Sequence, residues 1–412
     1  MQKVADMFNL SAPLPKATQP GAQRLCLPDE TLARVLPLRA AFGVTRLATV
    51  TGLDRLGIPV VIAMRPNARS IAVSQGKGAT LAHAKVSALM EAVEIWHAEH
   101  FAPPLYYASR VDLAARHDLI DLEALPHTPA GALPGTMRQH WVTAQDILGD
   151  RICLVPWEMV HADYTEPRSA EAGHYPASTN GLASGNHPVE AICHGICEVV
   201  ERDALALWHA RPVDGQRASQ VDLATVTDPS LRRTLGRIET AGLGCTVWDV
   251  SCDTQVPSFM AVIHEDGPAA HLGLGSGSHP DPVVALHRTL NEAAQTRLNY
   301  ISGARDDLFE AEYTVAGRAA KHAGLAELLD HTGGARPFGA AGGASHATLN
   351  EDLHWLMARL QGAGVRQIAV VDLTDPRFDI PVVRVIIPGL EAPHDDAAYV
   401  PGSRVRSQWQ AA

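Results

Sequence analysis

Residues 180–203 read NGLASGNHPVEAICHGICEVVERD, and the interpretation of the chain turns on this stretch. A loop of small residues (Asn180, Gly181, Ser184, Gly185) runs into a helical pattern that carries Glu190, Glu198, Glu201 and Arg202. Pro188 suits the first turn of a helix, and Asn186 is the expected N-cap before it. At about 100° per residue, Glu190 and Glu201 point almost the same way, with Glu198 and Arg202 within roughly a third of a turn. A solvated face does not call for three carboxylates on one side of an otherwise apolar, Cys- and Ile-bearing helix. They suggest a site for hard cations that other parts of the chain complete.

Two further helices share the theme. Leu81 to about His100 is dense in Ala, Leu and Met, with Thr80 placed to cap it. On it Ser87, Glu91 and Glu94 fall at i, i+4 and i+7, a single stripe. One such stripe could be a solvated face, but ExxE at Glu91/Glu94 returns as ExxER at Glu198–Arg202, which favours function. Residues 282–300, PVVALHRTLNEAAQTRLNY, form a third helix with Arg288, Glu292, Gln295 and, less closely, Arg297 toward one face.

Carboxylate oxygens without a thiolate or imidazole set suit Mg2+, which commonly shares its ligands with substrate phosphates. Several ionised carboxylates in one cleft repel each other unless a cation intervenes. A metal-nucleotide resolves this, with Lys77, Arg202, and Arg288 or Arg297 meeting the remaining phosphate charge. No GxxxxGK[ST], no GxGxxG between strand and helix and no GxSxG is present, so P-loop, Rossmann and nucleophile-elbow readings fail. The glycine-rich LGLGSGSH lacks a lysine and reads at least as well as a turn. His194 and Cys197 share the arc of Glu190 and Glu201, but a small thiol packed beside a polar site is the commoner case.

The chain has 412 residues, 46% hydrophobic and 19% charged, with net charge −11, as expected of a soluble globular protein without a nucleic-acid grip. Six scattered cysteines form no CxxC pair and read as reduced thiols of a cytoplasmic protein. No signal peptide is visible and no apolar run reaches the ~20 residues of a membrane span. Residues 1–40 read as a Pro/Ala-rich extension and 41–395 as one intertwined domain, with an irregular β-containing insertion at about 104–178. Residues 396–412 read as a tail. Strands and helices mix without strict βαβ alternation, which makes the fold α+β. No internal repeat stands out.

The combination GKGAT…SALMEAVE, NGLASGN…EAICHGICEVVERDAL and LHRTLNEAAQTRL..ISGARDD resembles the YcaO superfamily, over about residues 43–391. The resemblance implies a mixed α/β ATP fold without a P-loop, in which helix-borne glutamates coordinate the Mg2+ of ATP. Carried over by motif, Glu91, Glu94, Glu190, Glu198 and Glu201 would be the Mg2+ ligands. Lys77, Ser87, Asn180, Ser184, Asn186, Arg202, Arg288, Gln295 and Arg297 would contact ATP. Arg202, Arg297 and Arg305 would be the catalytic cations, with Arg297 or Arg305 clamping the triphosphate. Many relatives read ExxER in the first helix, whereas Ile95 follows Glu94 here.

Members of this family phosphorylate a peptide backbone-amide oxygen so that a nucleophile can replace it. A neighbouring Cys, Ser or Thr gives an azoline, sulfide a thioamide, and an amine an amidine. The tail VPGSRVRSQWQAA carries Pro401 alone, without the Pro-x-Pro-x-Pro ending common among azoline formers, and no leader-binding domain is fused. Both features favour the thioamide-forming subgroup that works with a TfuA-like partner on a peptide substrate, as a homodimer. An azoline-forming cyclodehydratase and a non-catalytic ATP-binding subunit are the alternatives.

Overall fold

The computed structural model describes residues 12–265, 267, 271–329 and 336–411, so residues 1–11 of the expected extension and residue 412 of the tail lie outside the described residues. A hairpin of β1 (Ala17–Gln19) and β2 (Ala22–Arg24) precedes helix α1 (Pro28–Val35). Strands β3 (Arg46–Thr49), β4 (Val60–Met64) and β5 (Val73–Lys77) lead into α2 (Leu81–His100). Next come β6 (Tyr106–Ser109), α3 (Arg110–Ala114), β7 (Arg138–Asp146), β8 (Arg151–Pro156) and β9 (Leu182–Ser184). Helices α4 (Pro188–His209) and α5 (Val213–Arg217), strand β10 (Val221–Asp222) and helix α6 (Pro229–Thr240) follow. A meander of β11 (Gly244–Asp249), β12 (Ser258–His264) and β13 (Gly273–Ser278) runs into α7 (Pro282–Ser302). The chain continues through α8 (Glu310–Tyr313), α9 (Val315–Leu329), β14 (Arg336–Pro337) and α10 (Leu349–Gly362). It ends in β15 (Ala369–Asp372), β16 (Val382–Ile386) and α11 (Ser403–Ala411).

Three segments differ from the sequence reading for local reasons. Residues 17–35 are a hairpin and a helix instead of an irregular arm. Pro28 sits at the start of α1, and the Glu30 carboxylate takes the Leu27 N–H at 2.8 Å, a cap that periodicity does not reveal. The tail after Pro401 is the helix α11. The glycine-rich stretch before His279 is a strand, because its glycines let β13 lie against α7. A Cβ on Gly275 would stand 2.2 Å from the Ala293 nitrogen.

Where the sequence suggested one intertwined domain over 41–395, the structure divides into two compact units, each drawn from non-contiguous segments. The first comprises Met1–Lys16, Val93–Ala210 and His346–Ala412. Its sheet runs β6-β7-β15-β16-β9, with β8 also on β7, and every pairing is antiparallel. β7 and β8, read as part of an insertion, therefore belong to this sheet. Helix α4 packs on β16 and β9 with α10 and α11 against it, and it buries Ile192, Ile196 and Trp208. Lys16 binds Asp352 of α10 at 2.8 Å, both side chains being buried.

The second unit comprises Ala17–Ala92 and Arg211–Ser345. It holds two three-stranded antiparallel sheets, β3-β4-β5 and β11-β12-β13, and the short parallel pair β10-β14. Its larger core joins Leu231 and Ile238 of α6 to Val247 and Phe259 of the meander and to Leu286 and Leu290 of α7. Among the described residues no helix is long and apolar enough to cross a membrane.

Candidate functional site

Strand β9, the loop after it and helix α4 carry most of the carboxylate pattern in the first unit. His187, not Asn186, caps α4: it is extended (φ −149°, ψ 151°) and its Nδ1 accepts the Val189 N–H at 3.2 Å. Pro188 holds the residue before it extended, so the cap falls one position later than expected. Asn186 instead turns its N–H (3.3 Å) and side-chain amide (3.2 Å) onto Glu190, which is 4% exposed. Glu94, at the start of this unit's share of α2, accepts the backbone N–H (2.8 Å) and hydroxyl (2.6 Å) of Ser184. Glu201 lies 3.6 Å from Arg202. Asn180 has a buried side-chain oxygen with no hydrogen-bond partner.

Glu198 stands among these groups. Burial first, then the charges of Glu94 and Glu201, push its carboxyl up to about 7 against the pull of Arg202 and Arg384. Arg384 was missed in the sequence, although a lone Arg within the apolar strand VVRVII was the available signal. It is 4% exposed, donates to the carbonyl of Met159 at 2.9 Å and to that of Ser178, and its pKa is lowered by burial.

A second polar group lies within the second unit. Glu91 accepts the N–H of Gln75 at 3.1 Å, and Gln295 donates to the Gln75 side-chain oxygen at 2.9 Å. The Gln75 Nε2 and Gln295 Oε1 atoms are buried without a partner. Lys77 pairs with Glu292, which also accepts from Ser276 at 3.4 Å. Ser87 of α2 is half-buried. Arg288 of α7 lends charge to the surroundings of His83, whose pKa falls to about 4 chiefly through burial, then through Arg24 and Arg288.

The two candidate clamp arginines differ. Arg297 is 4% exposed and committed: it donates to Glu265 (2.9 Å) and to the His271 carbonyl (3.1 Å), and lies 3.5 Å from Asp54. Arg305 is held by Asp307 in a two-point contact that raises its pKa, and it also feels the charge of Glu91.

One pattern recurs three times: a strand ends and a short turn opens a helix bearing paired acids or an acid–amide pair. The pairs are Glu91/Glu94 after β5, Glu198/Glu201 after β9 and Glu292/Gln295 after β13. The sequence shows the first two pairs as ExxE, while the third is masked because Gln295 stands where the second Glu would be.

Among the described residues no three His, Cys, Asp or Glu side chains gather closely enough to hold a metal ion. The chemistry of the donor set nonetheless fits Mg2+ and a phosphate chain. The acids present oxygens only, burial and then the charges of Glu94 and Glu201 raise the Glu198 carboxyl to about 7, and unpartnered amide atoms remain to be satisfied. None of the six cysteines is in a disulfide, and Cys193 donates to the Leu349 carbonyl at 3.7 Å with its pKa raised well up by burial.

Residues 75–391 match the family model described as YcaO cyclodehydratase, ATP- and Mg2+-binding. A protein of Rhizobium leguminosarum bv. trifolii, named for its place in the tfuA 3′ region, is 37% identical over 376 residues, covering 89% of this chain and 88% of its own. A Methanothermobacter thermautotrophicus protein is 35% identical over 392 residues, covering 92% of this chain and 98% of its own. Among solved structures, YcaO from Methanopyrus kandleri bound with AMPPCP and Mg2+ has a TM-score of 0.70 at 25% identity, covering 94% of this chain and 98% of that one. A heterocyclase in complex with substrate and cofactor shares the fold, with a TM-score of 0.80 at 22% identity. The likeness covers 97% of this chain and 56% of that longer one. With its mixed α/β fold and helix-borne glutamates, this chain belongs to the YcaO family of ATP- and Mg2+-dependent peptide-modifying enzymes.

Proposed function

We propose that this chain activates a backbone amide of a peptide or protein for replacement of its oxygen by sulfide, giving a thioamide, together with a TfuA-like partner and as a homodimer. The observation that carries the choice of product is the 37% identity to a protein of the tfuA 3′ region. We assign Mg2+ binding to Glu91, Glu94, Glu190, Glu198 and Glu201. Contacts to ATP fall to Lys77, Ser87, Asn180, Ser184, Asn186, Arg202, Arg288 and Gln295. Mg2+-ATP, when bound, supplies the phosphoryl group that makes an amide oxygen a leaving group.

The chain's own groups have defined tasks in this reading. Ser184 fixes one oxygen of Glu94 with two donors, which orients this carboxylate toward the metal in this reading. Glu198 gives up its proton to serve, and Arg202 offsets the excess negative charge. Of the two clamp candidates we favour Arg305, because the guanidinium of Arg297 is buried and already engaged by Asp54, Glu265 and His271.

The test is reconstitution with Mg2+-ATP, a sulfide source, the TfuA-like partner and candidate peptides, read by intact mass. Exchange of oxygen for sulfur adds about 16 Da, whereas azoline formation removes about 18 Da of water. A peptide that loses water, with or without sulfide, would overturn thioamidation in favour of cyclodehydration. Nucleotide binding with no peptide-dependent ADP release under any condition would instead mark a non-catalytic subunit.

A further inference from the structure

The second unit also holds a groove of about 520 Å3, lined by Arg55, Leu56, Arg233, Gly236, Arg237 and Thr240. Its volume lies within the ~300–1,000 Å3 that ligand sites span. Arg233 and Arg237 stand four apart on α6, so like charges share one side of the helix, an arrangement that disfavours the helix by itself. Arg233 makes no hydrogen bond or ion pair among the described residues, and Arg237 reaches only the Gly57 carbonyl at 3.5 Å. Arg55 touches Glu265 at 3.2 Å, a carboxylate that Arg297 holds more closely at 2.9 Å. Of these three guanidiniums only Arg55 touches a carboxylate among the described residues, and it shares that one with Arg297, in a chain whose net charge is −11.

Gly236 adds an independent observation. It lies inside α6, where glycine is less favourable than alanine, and its φ is not positive. No atom lies within 4 Å of where its Cβ would be, so packing within the chain does not require a glycine. What the missing side chain provides is bare helix backbone between two arginines, open to close approach from outside.

We propose that this groove binds a carboxylate-rich segment of the peptide substrate, at a distance from the amide that reacts. The guanidiniums pair with acidic side chains two-point, and the extended chain lies over Gly236 with Leu56 beneath it. The inference rests on the peptide-modifying reading above. A nucleic acid is disfavoured, since a polyanion of that size would meet the acidic remainder of the molecule.

Fluorescence anisotropy of a fluorescein-labelled hexaglutamate peptide with the full chain tests it, with hexaglutamine as control. Saturable binding of hexaglutamate alone is expected, weakened at least tenfold by Arg233→Glu with Arg237→Glu. Gly236→Leu should weaken it similarly, while Gly236→Ala raises Tm. Arg232→Glu, on the same helix but outside the lining, should change it less than twofold. Equal loss with Arg232→Glu, or no loss with the paired variant, overturns the proposal. So does binding of inorganic pyrophosphate with the same arginine dependence when hexaglutamate does not bind, which marks a small-phosphate site. Titration of Mg2+-AMPPCP into each variant reports the nucleotide reading separately, and that binding is expected to be unchanged.

Discussion

Ser184 gives both its backbone N–H, at 2.8 Å, and its hydroxyl, at 2.6 Å, to the same carboxylate oxygen of Glu94, although the two residues lie 90 positions apart. Two donors on one oxygen hold the carboxylate in a single orientation. Ser184→Ala should therefore weaken Mg2+-AMPPCP binding about tenfold, corresponding to about 1.5 kcal/mol for a hydrogen bond to a charged group. Glu94→Gln should remove it. Isothermal titration checks both, and undiminished binding by Glu94→Gln would show that this carboxylate is not a ligand.

The two arginines are separable by what their loss damages. Arg305→Ala should leave Tm within a few degrees but lower nucleotide affinity tenfold or more. Arg297→Met should instead lower stability by about 3 kcal/mol, because it takes the cation from the buried Asp54 side chain and the closer of two cations from Glu265. Parallel thermal melts and AMPPCP titrations distinguish them. Strong loss of affinity with an intact Tm in Arg297→Met would reverse the assignment.

Glu198 predicts a pH dependence of the metal-free protein. Its folded carboxyl sits at about 7 against an ordinary 4.5, chiefly through burial. A raised acid stabilises the fold fully below the unfolded value, and that contribution is lost as pH climbs through the folded one. Tm should thus fall between pH 5 and 7.5 by an amount reflecting on the order of 2 kcal/mol. Glu198→Gln should flatten the profile, and Mg2+-AMPPCP should restore Tm at pH 8. An identical slope in the Gln variant would assign the effect to another group.

Asp203 of α4 is fully buried and held by Arg404 of α11 at 2.8 and 3.1 Å and by the Glu391 N–H at 3.0 Å. The Glu391 carboxylate in turn accepts from Tyr399, Gly402 and Val405. Arg404→Met strands a buried acid and should cost about 3 kcal/mol, whereas Asp203→Asn with Arg404→Met should cost less than the sum of the two. Denaturant melts of the double-mutant cycle measure this. Additivity would mean that the pair is not coupled.

Gly275→Ala should be among the most damaging small substitutions, because the added methyl would meet α7 backbone that cannot give way. A loss of about 3 kcal/mol or failure to fold is expected. A Tm within two degrees of the parent would mean that β13 and α7 can separate at little cost.

The three long helices and the spacing of their acids are legible in the amino-acid sequence, because periodicity, helix-opening prolines and ExxE repeats are properties of neighbours in the chain. The same local signals point to the family's cofactor chemistry. They do not reveal that residues 273–278 form a strand, since glycines signal a turn unless a helix lies close enough to use their bareness. Nor do they show that Ser184 serves Glu94, that Arg384 stands beside Glu198, or that Arg297 is occupied by Asp54 and Glu265. Those relationships join residues distant in sequence, and side-chain partners and burial are set only when the sheets and helices pack. Spacing along the chain placed the carboxylates on their helices, whereas packing decided which donors each of them meets.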